Sequence, residues 1–124
     1  MEYFEDYYLR LVHEMVRTIL KLLFNIDTAD ANKELENSKE QKKKYDMLIA
    51  LAKEGKINEA ENILYEDGFI SNKDDLKIGV LFYDYLVGLN DEFLESHDYS
   101  KKEAYDGLEM LLKKNGYDDI ENIL

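Results

Sequence analysis

The stretch "GKINEAENILYE", residues 55–66, decides the fold. Gly55 follows an apolar-periodic run, "YDMLIALAKE" at 45–54, and a glycine there is a natural helix stop. Ile57, Ala60, Ile63 and Leu64 then return at spacings of three and four, which is the face of a second helix. Helix 45–54, a Gly55-Lys56 turn and helix 57–66 read as an αα-hairpin. Ala60 is small enough to let the two helices approach closely, and Gly68 ends the unit.

The chain's end carries a partial echo, "GYDDIENIL" at 116–124. Glu61-Asn62-Ile63-Leu64 reappears as Glu121-Asn122-Ile123-Leu124, 60 residues later. That separation exceeds a tetratricopeptide-like unit of about 34 residues, so we read two αα-hairpins of similar design; whether they are a true repeat stays open. The packing is tetratricopeptide-like but too short for a solenoid.

Upstream, residues 2–24 form a wide-faced helix. Asp6, Arg10, His13, Glu14, Arg17, Thr18 and Lys21 fall on one side, while an apolar arc from Phe4 through Leu23 covers more than half the circumference. Such a helix is either central to a bundle or part of an oligomer interface. Residues 27–44 are mostly polar and read as a connection or solvated helix, with Ser38 and Gln41 spaced as a cap. Downstream, a heavily apolar helix is expected from about Asp74 to Glu95, with Gly79 and Gly88 marking close packing. Ser100 and Glu103 make a capping box for a helix over 101–114, and a short helix over 118–124 closes the chain.

The expected architecture is one all-α domain over 1–124, a compact bundle of five to six helices. Residues 1–26 form the apolar helix, 27–44 the polar connection and 45–124 the hairpins. With no proline, no helix need be kinked by a missing N–H. A chain of 124 residues that is 45% hydrophobic suits one real core.

The opening "YFEDYYLRLVHEMVRTILKLLFN", the hairpin "GKINEAENILYE" and the tail "FLESHDYSKKEAYDGLEMLLKKNG" together resemble a family of small acidic bacterial proteins of unknown function, best represented in Firmicutes. The resemblance covers most of the chain. It implies a helical fold and brings no activity with it.

Charge narrows the function classes. The formal net charge is −12, and residues 46–75 and 76–124 supply −5 and −6 of it. Such a surface repels phosphate backbones and anionic headgroups. The run Lys42-Lys43-Lys44 lies among Glu34, Glu36 and Glu40, within a Debye length that cancels it. We therefore expect no nucleic-acid binding and no membrane association. The absence of cysteine removes disulfides and thiolate chemistry and fits a reducing interior. The acidic start lacks the basic region of a signal peptide, and no apolar run reaches 18 residues, so a cytoplasmic location is expected.

No catalytic motif emerges. His13-Glu14 begins like a zincin helix, but Arg17 stands where the second histidine belongs. Glu95 precedes His97 by two residues, not the three of a di-iron helix, and "EDGFISNKDD" at 66–75 fails as a calcium loop. We expect no metal, no cofactor and no catalytic residue. Asp84, inside "LFYDYLVG", is the acid in the most apolar surroundings.

The ten tyrosines are the more unusual feature, because tyrosine buries area while keeping a polar tip. The reading is a non-enzymatic protein-interaction module or small adaptor, including self-association through the first helix, with Phe4, Tyr7, Tyr8, Leu11 and Met15 as contacts. The alternative is a small-ligand-binding or enzymatic helical domain with a pocket at His13, Tyr83 and Asp84.

Overall fold

The computed structural model describes residues 2–117, with side chains from Asp6 onward. The described residues form an all-α bundle of seven helices: α1 (Glu2–Phe24), α2 (Thr28–Asn37), α3 (Lys39–Lys53), α4 (Ile57–Leu64), α5 (Leu76–Val87), α6 (Asp91–Ser96) and α7 (Lys101–Lys114). The helix expected over 118–124, and with it the echo of the hairpin, lies outside the described residues.

The central position belongs to α5, not to α1. Helix α5 packs against α1, α2, α3 and α7, and every side chain from Leu76 through Phe82 is buried, as is Tyr83. Gly79 makes this possible, since a β-carbon there would come within 2.6 Å of Leu111 and 3.2 Å of Leu64. Helix α1 lies along α5, α7 and α2, contributing Val12, Met15, Val16, Ile19 and Leu20 to the core.

Helices α3 and α4 form the hairpin read around Gly55, which has φ of +82°. Ile57, Ala60 and Leu64 are buried as their spacing requires. Residues 27–44 are two helices. The Asp27 carboxylate caps α2 through the Asp30 amide, and α2 buries Ala31 and Leu35. Ser38 ends α2 and caps α3.

The single helix expected over 74–95 is broken in two. Gly88 caps α5, and the Asn90 side chain accepts from the amides of Glu92 and Phe93 to begin α6. Leu89 and Phe93 both pack on the core, so the apolar stripe stays periodic across that break and does not mark it. The capping box at Ser100 and Glu103 forms as its spacing dictates.

Candidate functional site

Among the expected contact residues, Tyr7 is 52% exposed and Met15 lies in the core at 3%. Tyr8 and Leu11 are half-buried. The Tyr7 and Tyr8 rings meet edge to face at 5.0 Å, and Tyr8 continues the row to Tyr105 of α7 at 5.6 Å. An aromatic strip therefore runs from the α1 N-terminal half onto α7 and ends in solvent at Tyr7. The Phe4 side chain lies outside the described residues. Further along α1, Leu22 is 50% exposed.

Of the residues expected to share a pocket, the fold brings two together and separates the third. His13 Nδ1 stands 2.5 Å from Asp84 Oδ1, joining α1 to α5 at a partly exposed position. Tyr45 of α3 is close by, its phenol pushed up to about 12 by burial and then by the Asp84 charge. Tyr83 points elsewhere, because neighbouring helix positions project about 100° apart. Its ring is fully buried between α4 and α7.

There Tyr83 meets a group that pattern reading missed. Its hydroxyl lies 2.6 Å from Glu61 Oε2 and 3.0 Å from the Tyr65 hydroxyl. Tyr65 donates to the Gly107 carbonyl at 2.6 Å, and Tyr99 approaches Glu61 Oε2 at 3.4 Å. Burial pushes the Glu61 carboxyl above the usual carboxylate range; the hydrogen bonds from Tyr83 and Tyr99 oppose this, and Glu103 adds to it. Burial likewise pushes the Tyr65 phenol up to about 12 and raises Tyr83 and Tyr99. The one signal in the sequence is the register of Glu61, next to inward Ala60 and four before Tyr65. Beside this cluster, α4 and α7 form an open groove walled by Glu61, Tyr65, Glu103 and Met110, with Met110 61% exposed.

A second buried polar cluster ties α2, α3 and α5. Lys77, 2% exposed, reaches Glu34 at 2.6 Å and Asp74 at 2.7 Å. Gln41 Nε2 donates to Asp74 at 2.7 Å and to Asp75 at 3.2 Å. The Ser71 hydroxyl and amide both bond Asp75 Oδ2. These contacts hold the loop before α5 to the start of α3, a structural task.

Among the described residues, no three His, Cys, Asp or Glu side chains stand together as a metal site. No helix among them is long and apolar enough to cross a membrane.

The described residues form a small all-α bundle with an exposed aromatic end on α1 and a partly buried carboxylate at Glu61. The chain belongs to a family of unknown function, DUF6483, whose pattern matches residues 2–116. No curated protein and no solved structure matches it.

Proposed function

We propose that the domain is a non-enzymatic protein-interaction module that binds a basic partner through the aromatic end of α1. The observation that carries this reading is Tyr7, a large ring left half in solvent at the end of the Tyr7–Tyr8–Tyr105 row. Tyrosine, with its apolar body and polar tip, is enriched at protein interfaces.

Charge favours the occupant. Residues 1–26 carry 4 acidic and 3 basic side chains, close to neutral, while the chain as a whole carries −12. An aromatic face of low charge on a strongly acidic body suits a partner segment with apolar anchors and basic flanks. The same charge opposes pairing of identical copies and repels nucleic acid and anionic membranes. The proposal includes a bacterial, cytoplasmic setting, supported by the resemblance to Firmicutes-type proteins and by a cysteine-free sequence.

The test is side-by-side affinity capture with the wild-type chain and the folded Tyr7→Asp variant, with sedimentation of each alone. A discrete basic protein retained by the first and lost by the second supports the reading. Identical captures, or a Tyr7-dependent homodimer and no second protein, overturn the basic-partner assignment.

A second reading, a small-ligand site, has one observation in its favour. The His13–Asp84 contact is the kind of carboxylate-oriented imidazole that binds or moves protons on ligands. A ligand-observed NMR screen with the His13→Ala variant as control tests it. Hits that survive the substitution, or no hits, remove this reading.

A further inference from the structure

Four polar contacts form one cluster: Glu61 Oε2 with Tyr83 and with Tyr99, Tyr83 with Tyr65, and Tyr65 with the Gly107 carbonyl. Each contact needs one hydrogen. An ionised Glu61 brings none, and the three phenols bring three. The Gly107 carbonyl can only accept, so it takes the Tyr65 proton, and both Tyr83 and Tyr99 must point at the carboxylate. The Tyr83 and Tyr65 oxygens then face each other at 3.0 Å with no hydrogen between them.

A protonated Glu61 closes the count. Its hydroxyl donates to Tyr83, Tyr83 to Tyr65, and Tyr65 to Gly107, while Tyr99 donates to Glu61. We propose that Glu61 carries a proton in the native fold, and that this proton completes a relay fastening α4 to α5 and α7, so that its release loosens α4.

From α5, Glu61 faces the Tyr83 phenol, and from the loop before α7 the Tyr99 phenol; hydrogen bonds from both favour the ionised carboxylate, and burial and the Glu103 charge outweigh them. From α7 it faces the negative charge of Glu103, and Asp106 lines the same groove. Asp106 is itself paired with Lys102 at 2.9 Å, and Glu103 bonds the Ser100 amide at 2.8 Å. No lysine or arginine ion pair to Glu61 is present among the described residues. The device sits in the wall of the α4–α7 groove, so releasing the proton reshapes that groove at Tyr65 and Met110.

The experiment is carbon-detected NMR of the full 13C-labelled chain, following each glutamate carboxyl from about pH 3 to about pH 8. The expected result is a Glu61 midpoint above those of all the exposed glutamates, with the amides of residues 61–65 shifting along the same curve. A Glu61 midpoint within the range of the others overturns the proton. A raised midpoint with unmoved α4 amides overturns the loosening. Glu61→Gln, which supplies a permanent donor, gives a second readout. Its melting temperature should gain on the wild type as pH rises through the Glu61 titration, and a constant difference overturns the relay.

Discussion

Gly107 and Tyr83 fit each other so closely that a β-carbon at position 107 would stand 2.5 Å from the Tyr83 hydroxyl and 2.7 Å from its ring. Tyr83 has no room to retreat, since it is fully buried and bonded to Glu61 and Tyr65. Replacing Gly107 by alanine gains about 1 kcal/mol of helix propensity but overpacks a tight site at about 1–3 kcal/mol. We expect Gly107→Ala to lose up to about 2 kcal/mol net in urea unfolding. Gly88 is the control: it is exposed, has φ of −83°, and a β-carbon there meets nothing nearer than 3.4 Å. Gly88→Ala should stabilise by up to about 1 kcal/mol.

Gly55 and Gly68 separate two causes of glycine dependence. Both have positive φ, +82° and +85°. A β-carbon at Gly55 would lie 2.0 Å from His97 Cδ2, whereas one at Gly68 meets nothing within 4 Å. Gly68→Ala should therefore cost only the left-handed backbone, about 1–2 kcal/mol. Gly55→Ala should cost more, and adding His97→Ala should recover the excess. A double-mutant cycle by chemical denaturation measures that coupling.

Lys77 predicts an asymmetry. Its ammonium is buried, but Glu34 and Asp74 are about half exposed. Lys77→Met removes a buried charge and leaves two carboxylates that water can solvate, so the change should stay within about 1 kcal/mol. The Glu34→Ala/Asp74→Ala double variant leaves the ammonium buried and unpaired, which should cost about 3 kcal/mol. Equal losses from both would contradict this account of the cluster.

The pH dependence of stability should have two limbs of opposite sign. The Lys77 hydrogen bond holds the Asp74 carboxyl below the ordinary 3.8. Burial pushes Asp75 up, but hydrogen bonds from Ser71 and Gln41 outweigh it and hold it low as well. The stability these two supply is present above the ordinary aspartate value and is lost as pH falls below it. Glu61 is raised, so its contribution is complete below the ordinary 4.5 and is lost as pH rises through its native value. Melting temperatures followed by circular dichroism should pass through a maximum. Asp75→Asn should flatten the acid limb and Glu61→Gln the other.

Local chemistry was readable in the sequence. Gly55 marked the hairpin, Ser100 and Glu103 marked a helix start, and the polar face of α1 through Asp6, Arg10, His13, Glu14 and Arg17 is the exposed one. The break between α5 and α6 was hidden because Leu89 and Phe93 continue the apolar stripe across it. The position of α5 at the centre was hidden because both α1 and α5 are rich in apolar residues, and only packing ranks them. His13 and Asp84 are 71 positions apart, and their meeting follows from how α1 lies on α5. The Glu61 relay gathers residues from Glu61 to Gly107 through tertiary contacts, which no local spacing encodes.

Tyr7→Asp should leave folding almost untouched, within about 0.5 kcal/mol, because the ring is half in solvent. It can therefore report on binding without reporting on stability. The most direct measurement is a photo-cross-linker placed at position 7 of the full chain, with the exposed position Leu22 as control, and adducts identified by mass spectrometry. The account expects one discrete adduct at position 7, carrying a basic segment of a second protein, and none at position 22. Equal adducts at both positions, or none at position 7, would contradict the assignment of this aromatic end as the docking face.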